Sequence, residues 1–156
     1  NLSGLKWFAE NVMPNLPDGI SLYVVGQGMK VLEKEALYQK KNIHIIGEVE
    51  ELAPWYYHAD LVVEPIFEGD GMKTKTVEAM MFGKTILGSE EAFCGYEGLK
   101  KYLCNTADDF IKRITDYKQN GVEKFNDEIR TIYLDKYSEN AVLGTMREAI
   151  SKYVGD

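Results

Sequence analysis

Histidine and cysteine are scarce: the chain has two of each. Cys94 and Cys104 form no CxxC pair and have no cluster of histidines beside them, which excludes a zinc-type centre and a disulfide framework. Two thiols in a reducing cytoplasm, or a single disulfide, stay open. His44 falls within an apolar run and His58 at the end of a short helical stretch, so both read as structural. No apolar run approaches the roughly 18 residues that a membrane span needs, and the start does not have the pattern of a signal peptide. Positive charge is also short. Against 25 acidic residues stand 18 basic ones, a formal net charge of -7, so nonspecific attraction to a phosphate backbone would be weak or repulsive and nucleic acid is not expected as a partner. No internal repeat or low-complexity segment is present.

What remains is the composition of a globular protein: 45% hydrophobic and 28% charged residues over 156 positions, enough for one domain with one core. Leu2, Leu5, Phe8, Ala9, Val12 and Met13 recur at helical spacing up to Pro14 and Pro17. Ile20 to Val25 reads as a buried strand ending in Gly26-Gln27-Gly28. A helix is expected next, with Met29, Leu32, Ala36 and Leu37 inward. Asn42 to Gly47 is a second strand, Leu52 to His58 a short helix whose Trp55, Tyr56 and Tyr57 suggest core or interdomain packing, and Asp60 to Glu64 a third strand. Lys84 to Leu87 is a fourth and Tyr102 to Cys104 a short edge strand. Three apolar stripes close the chain, on Phe110, Ile111, Ile114 and Tyr117, on Phe125, Ile129, Ile132 and Tyr133, and on Val142, Met146, Ile150 and Tyr153. Strands alternating with helices predict an α/β fold, a Rossmann-like doubly wound parallel sheet with helices on both faces. Such a fold usually opens on a strand, and Asn1 leaves no room for one, so the chain is expected to be part of something longer.

The segment from Glu64 to Lys84 carries the chemistry. A strand runs into a loop with Gly69 and Gly71, and then into a helix that opens on Lys73 and Lys75. Glycines let backbone come close to a ligand, a helix start offers unpaired N–H groups, and lysines add charge, so the segment reads as an anion site, with the acids around it available to sugar hydroxyls. In an acidic chain, Lys73, Lys75 and Lys84 form a local positive group, although a solvated helix face also carries lysines. Gly26 and Gly28 alone do not make a phosphate loop, since the fuller G-x-G-x-x-G pattern is not met, and a plain strand-to-helix turn accounts for them. In a doubly wound sheet the loops at Gly26–Gly28, Gly47–Val49, 64–75 and 88–98 share the ligand-binding rim.

Val24-Val25-Gly26-Gln27-Gly28, Ile45-Ile46-Gly47-Glu48-Val49, Ala59-Asp60-Leu61-Val62-Val63-Glu64-Pro65 and, most specifically, Gly71-Met72-Lys73-Thr74-Lys75-Thr76-Val77-Glu78-Ala79-Met80 with Gly83-Lys84-Thr85-Ile86-Leu87 resemble the donor-binding half of GT-B glycosyltransferases of the family 4, or group 1, type. The resemblance runs over nearly the whole chain, and the closing helix pair suits a family in which the last helix crosses back to the other domain. It implies that Lys75 contacts the phosphates, with Lys73 as a second base, that Glu78 holds the ribose hydroxyls, and that Asp70 touches the donor sugar. Where the family has two glutamates separated by seven residues, Asp70 here is one methylene shorter, and Glu68 competes for its role. Gly69 and Gly71 would bring backbone N–H groups to sugar or phosphate oxygens, and Gly26, Gly28, Gly47, Glu48, Val49 and Met72 complete the donor-binding rim.

By the same resemblance the substrate is a nucleoside-diphosphate sugar, no cofactor or bound metal is expected, and no Asp-x-Asp metal motif is present. The amino-terminal acceptor domain is expected to be missing, so this domain alone is expected to bind nucleotide and to transfer no sugar. The implied activity is retaining transfer to a glycan, lipid or polysaccharide, in the cytoplasm or at the inner face of the membrane through the missing domain. Two other classes compete: a nonhydrolysing nucleotide-sugar epimerase, for which acid and base residues are not evident, and a noncatalytic nucleotide-binding module.

Overall fold

A computed structural model describes residues 2–154. The first helix, α1 (Leu2–Asn11), buries Phe8 and Ala9, and Pro14 stands in the 3-10 turn Met13–Asn15 that ends it. Two strands then pair in parallel, β1 (Leu22–Val25) with β2 (Ile43–Gly47), in the register Leu22↔Ile43 to Val25↔Gly47. After α2 (Ala53–His58) comes a second parallel pair, β3 (Val62–Glu64) and β4 (Ile86–Gly88), connected through α3 (Thr74–Met81). The chain closes with α4 (Ala107–Asn120), α5 (Asp127–Ile132), a π-helical turn at Tyr133–Tyr137 and α6 (Glu139–Val154).

The architecture is mixed α/β and Rossmann-like, with short parallel strands and helices on both sides. The core joins the two strand pairs to the helices: Phe8, Met80, Ile86, Leu87, Phe110 and Ile129 are all buried. Each such side chain contributes about 1.5–3 kcal/mol on leaving water. Phe8 meets Phe110 edge to face at 5.4 Å, fixing α1 against α4. A capping box starts α4, with the Asp109 N–H donating to Thr106 Oγ1 (3.2 Å) and the Thr106 N–H to Asp109 Oδ2 (2.9 Å). Asn126 caps α5 and also donates to Thr85 (3.0 Å) and Tyr102 (2.8 Å), tying that helix to the start of β4.

Four expectations change. The sheet is not continuous: β1–β2 and β3–β4 are separate ladders. The helix expected after Gly28 is two 3-10 turns, Met29–Lys34 and Ala36–Tyr38, broken at Glu35, whose backbone is extended. The buried residues there are Leu32 and Tyr38; six positions apart, they do not share one face of an α-helix, while Ala36 is exposed. Tyr102 to Cys104 is not a strand. Lys100–Tyr102 is a 3-10 turn, and Leu103 makes a single parallel bridge to Gly88. Finally, the stripe of α6 exists but is not covered, since Val142, Met146, Ile150 and Tyr153 are all exposed. No helix among the described residues is long and apolar enough to cross a membrane.

Candidate functional site

The loop from Pro65 to Lys73 and the helix after it are held from below. Glu64 ends β3 as a buried acid. Thr76, one turn into α3, donates from Oγ1 to Glu64 Oε2 at 2.6 Å and lies 2.8 Å from the Ala92 carbonyl. Burial pushes the Glu64 carboxyl up to about 7; the bond from Thr76 and the charge of Lys75 act in the opposite direction, and Glu78 adds to the rise. Thr76 has one hydrogen and two acceptors. When Glu64 is protonated it donates to Thr76, which frees the threonine hydrogen for Ala92. The other carboxylate oxygen, Oε1, is buried with no hydrogen-bond partner among the described residues.

Lys73 is not a free base. Its ammonium pairs with Glu91 at 2.6 Å and donates to the carbonyls of Gly71 (2.7 Å) and Gly69 (3.3 Å), so it folds the glycine loop around itself. Tyr96 Oη donates to the Lys73 carbonyl at 2.8 Å and pins the residue preceding α3 from the other side. Gly71 has φ +68 and open space where a side chain would stand, so glycine is required there by the backbone alone. The side chain of Lys73, at the N-cap of α3, makes no capping bond.

Lys75 and Glu78 stand three residues apart on α3 and therefore share a face. Lys75 is exposed and makes no ion pair or hydrogen bond among the described residues. Glu78 accepts a bond from Tyr56 Oη (3.3 Å), a residue of α2 whose ring stacks on Phe82 at 4.7 Å. Burial first, then the nearby charge of Glu78, raises the Tyr56 phenol far above its usual value, so it stays a donor at any working pH.

Of the residues singled out by sequence, Gly26, Lys75 and Glu78 line one cavity of about 1160 Å³ between the two strand pairs. The Gly26 N–H donates to the Gly47 carbonyl at 2.7 Å, bringing the first two rim loops together. The Ser89 N–H donates to the Glu64 carbonyl at 3.3 Å, and its hydroxyl to that of Ile66, which brings together the third and fourth. Gly28, Glu48 and Val49 belong to the β1–β2 side of the rim and do not line the cavity. Glu68, Gly69, Asp70, Gly71 and Met72 form the exposed outer loop, with Met72 folded over Gly95.

Lys84 leaves the positive group. It is buried before β4 and donates to the carbonyls of Ala59 and Lys124, both at 2.8 Å; desolvation lowers its pKa. Glu64, Thr76, Tyr56 and Glu91 were not among the sequence candidates. An acid ending an apolar strand was a visible signal for Glu64, whereas the partners of the other three depend on packing.

The family described as glycosyl transferases group 1 matches residues 1–120. The chain belongs to that family. No curated protein and no solved structure matches it. In this group 1 glycosyltransferase domain, α3 thus carries a lysine with no partner among the described residues and a tethered glutamate, and it follows a glycine loop held in place by Lys73. Among the described residues there is no cluster of His, Cys, Asp or Glu that would hold a metal ion.

Proposed function

We propose that this domain is the nucleotide-sugar half of a retaining glycosyltransferase and works with an acceptor domain outside this sequence. The observation that carries the reading is the pairing of an unpartnered Lys75 with a Tyr56-tethered Glu78 on one helix face and one cavity wall. Breaking the bond from sugar to nucleoside diphosphate leaves negative charge on the pyrophosphate. A fixed ammonium at Lys75 and the uncapped amides of α3 stabilise that charge without reorganising. Glu78 takes the ribose hydroxyls, held by the Tyr56 bond in a geometry that a free glutamate would lose entropy to reach. Asp70, with Glu68 beside it, meets the donor sugar from the exposed side of the glycine loop.

Within this reading we give Lys73 a different role from the one the resemblance implies, because its ammonium is already engaged by Glu91 and the Gly71 carbonyl. Lys73 shapes the loop and leaves phosphate contact to Lys75. Glu64 contributes by being neutral: an acid protonated up to about pH 7 places less negative charge under the lysine that must hold an anion. The acceptor is a glycan, lipid or polysaccharide, and the expected place of action is the cytoplasm or the inner membrane face, through the acceptor domain. Calorimetric titration of the chain with UDP, GDP and ADP tests the proposal. One of the three should bind, and failure of all three contradicts it.

A further inference from the structure

We infer that binding of a nucleoside diphosphate takes up a proton, held at Glu64 Oε2 between the carboxyl and Thr76 Oγ1. Glu64 is then a positioning residue that acts on the site without touching the ligand, a role that rests on the nucleotide-sugar reading and adds to it. The hydrogen bonds around this buried carboxyl carry the inference. Thr76 Oγ1 lies 2.6 Å from Glu64 Oε2 and 2.8 Å from the Ala92 carbonyl, and both partners are acceptors when Glu64 is ionised. A hydroxyl has one hydrogen and can serve one of them; the other contact then sets oxygen against oxygen in a buried place. A hydrogen on Glu64 Oε2 resolves the conflict: the carboxyl donates to Thr76, and Thr76 donates to Ala92. Glu64 Oε1 points the same way. It is buried with no hydrogen-bond partner among the described residues, so ionisation would put shared negative charge on an atom that no donor among them meets.

The groups around Glu64 decide what a ligand does to it. From α3, Lys75 favours its charged form and Glu78 opposes it. Tyr56 of α2 and Tyr96 of the segment after β4 are phenols whose own values rise beside Glu64, and neither is charged near neutral pH. In the β3–β4 ladder Glu64 stands beside Gly88, and its carbonyl accepts from the Ser89 N–H; neither residue carries a charge. Lys75 is therefore the one cation in this group, and it lines the same cavity as Glu64 and Glu78. Burial already pushes the carboxyl up to about 7. A diphosphate seated at Lys75 cancels the charge that favours ionised Glu64 and brings negative charge of its own. Bound ligand thus moves the carboxyl further up and draws a proton onto it from solvent.

The proton also fixes the loops. With it, Thr76 keeps its bond to the Ala92 carbonyl, and the segment 89–96 stays on α3. That segment supplies Glu91 to the Lys73 ammonium and the Tyr96 hydroxyl to the Lys73 carbonyl, the two contacts that hold the glycine loop in place. Without it, Thr76 turns its hydrogen to Glu64, and the Ala92 carbonyl loses its donor. Protonated Glu64 therefore lowers the negative charge beside Lys75 and secures the loop next to it in one step.

The test is calorimetric titration of the full chain and of Glu64→Gln with UDP, GDP and ADP at pH 6 and pH 8, each in two buffers of different ionisation enthalpy. Glutamine is neutral and its amide donates to Thr76, so it stands in for the protonated acid, while ionisation of the nucleotide itself is common to both proteins. The ligand-bound state holds the proton more tightly, so the gain in affinity is full below about pH 7 and is lost as pH rises above it. Relative to Glu64→Gln, the native chain should lose about three- to tenfold in affinity from pH 6 to pH 8. At pH 8 it should take up a fraction of a proton per nucleotide, more than at pH 6 and more than the variant does. In the native chain, with no variant needed, the carbon-13 resonance of the Glu64 carboxyl at pH 8 should move toward its protonated position when the nucleotide is added. Equal proton uptake by the two proteins, the same pH dependence of affinity, or an unmoved carboxyl resonance would overturn the inference and leave the nucleotide site standing. Binding of none of the three nucleotides would overturn both.

Discussion

Tyr56 donates to Glu78 across 22 residues of sequence, joining α2 to the one acid of α3 that faces the cavity. The bond is long at 3.3 Å, so its value is modest in stability and larger in orientation. Replacing Tyr56 with Phe keeps the stacking on Phe82 and removes only the hydroxyl. Nucleotide affinity should fall about three- to tenfold, as expected for a hydrogen bond of about 0.5–1.5 kcal/mol, while urea denaturation changes little. Calorimetry and denaturation on the same sample separate the two effects.

Lys73 and Glu91 offer the contrast. Their pair is largely shielded, with side chains 12% and 31% exposed, and it closes the glycine loop. Glu91→Ala should cost about 1–3 kcal/mol by leaving a charged group short of its partner. Lys73→Ala should lower stability similarly but weaken nucleotide binding less than Lys75→Ala does. Equal losses of affinity from the two lysine variants would return Lys73 to the phosphate site.

The titration of Glu64 makes stability depend on pH. Its folded value, about 7, lies above the ordinary 4.5, so the folded state binds the proton more tightly. The resulting stabilisation is full below about pH 4.5 and is lost as pH rises through about 7. A shift of this size corresponds to something on the order of 3 kcal/mol. Denaturation midpoints measured from pH 4.5 to 8 should therefore fall for the native chain relative to Glu64→Gln, whose side chain stays neutral throughout. Parallel curves for the two proteins would rule out Glu64 as the titrating group.

Gly71 isolates backbone strain from crowding. With φ at +68 and nothing near its missing side chain, Gly71→Ala should destabilise by about 1–2 kcal/mol through conformation alone. Thermal melting checks the cost, and loop disorder should appear as lost nucleotide affinity.

How far the sequence foretold the molecule depended on the range of the interactions involved. The stripes on α4 and α5 are local patterns, and they appear where periodicity puts them. So does the shared face of Lys75 and Glu78, which follows from helical geometry. The break at Glu35 went unseen because Leu32 and Tyr38 are buried by different neighbours, not by one helix face. The split between the ladders was equally hidden, since the alternation of strands and helices says nothing about which edges meet. Lys84 looked like part of the anion site by composition; only its position before β4, under three backbone carbonyls, removes it. The side-chain bonds of Thr76 to Glu64 and Ala92, of Tyr56 to Glu78 and of Lys73 to Glu91 span 12 to 22 residues, beyond the reach of any spacing rule.

The most direct measurement is the shift in melting temperature produced by saturating UDP, GDP or ADP, in the native chain and in Lys75→Ala. Lys75 is exposed and makes no ion pair among the described residues, so its removal leaves the fold intact and takes away the charge that would meet the diphosphate. The account predicts that one nucleotide raises the melting temperature of the native chain and that Lys75→Ala abolishes most of that rise without lowering the melting point of the free protein. An equal rise in both proteins, or no rise with any of the three nucleotides, would contradict it.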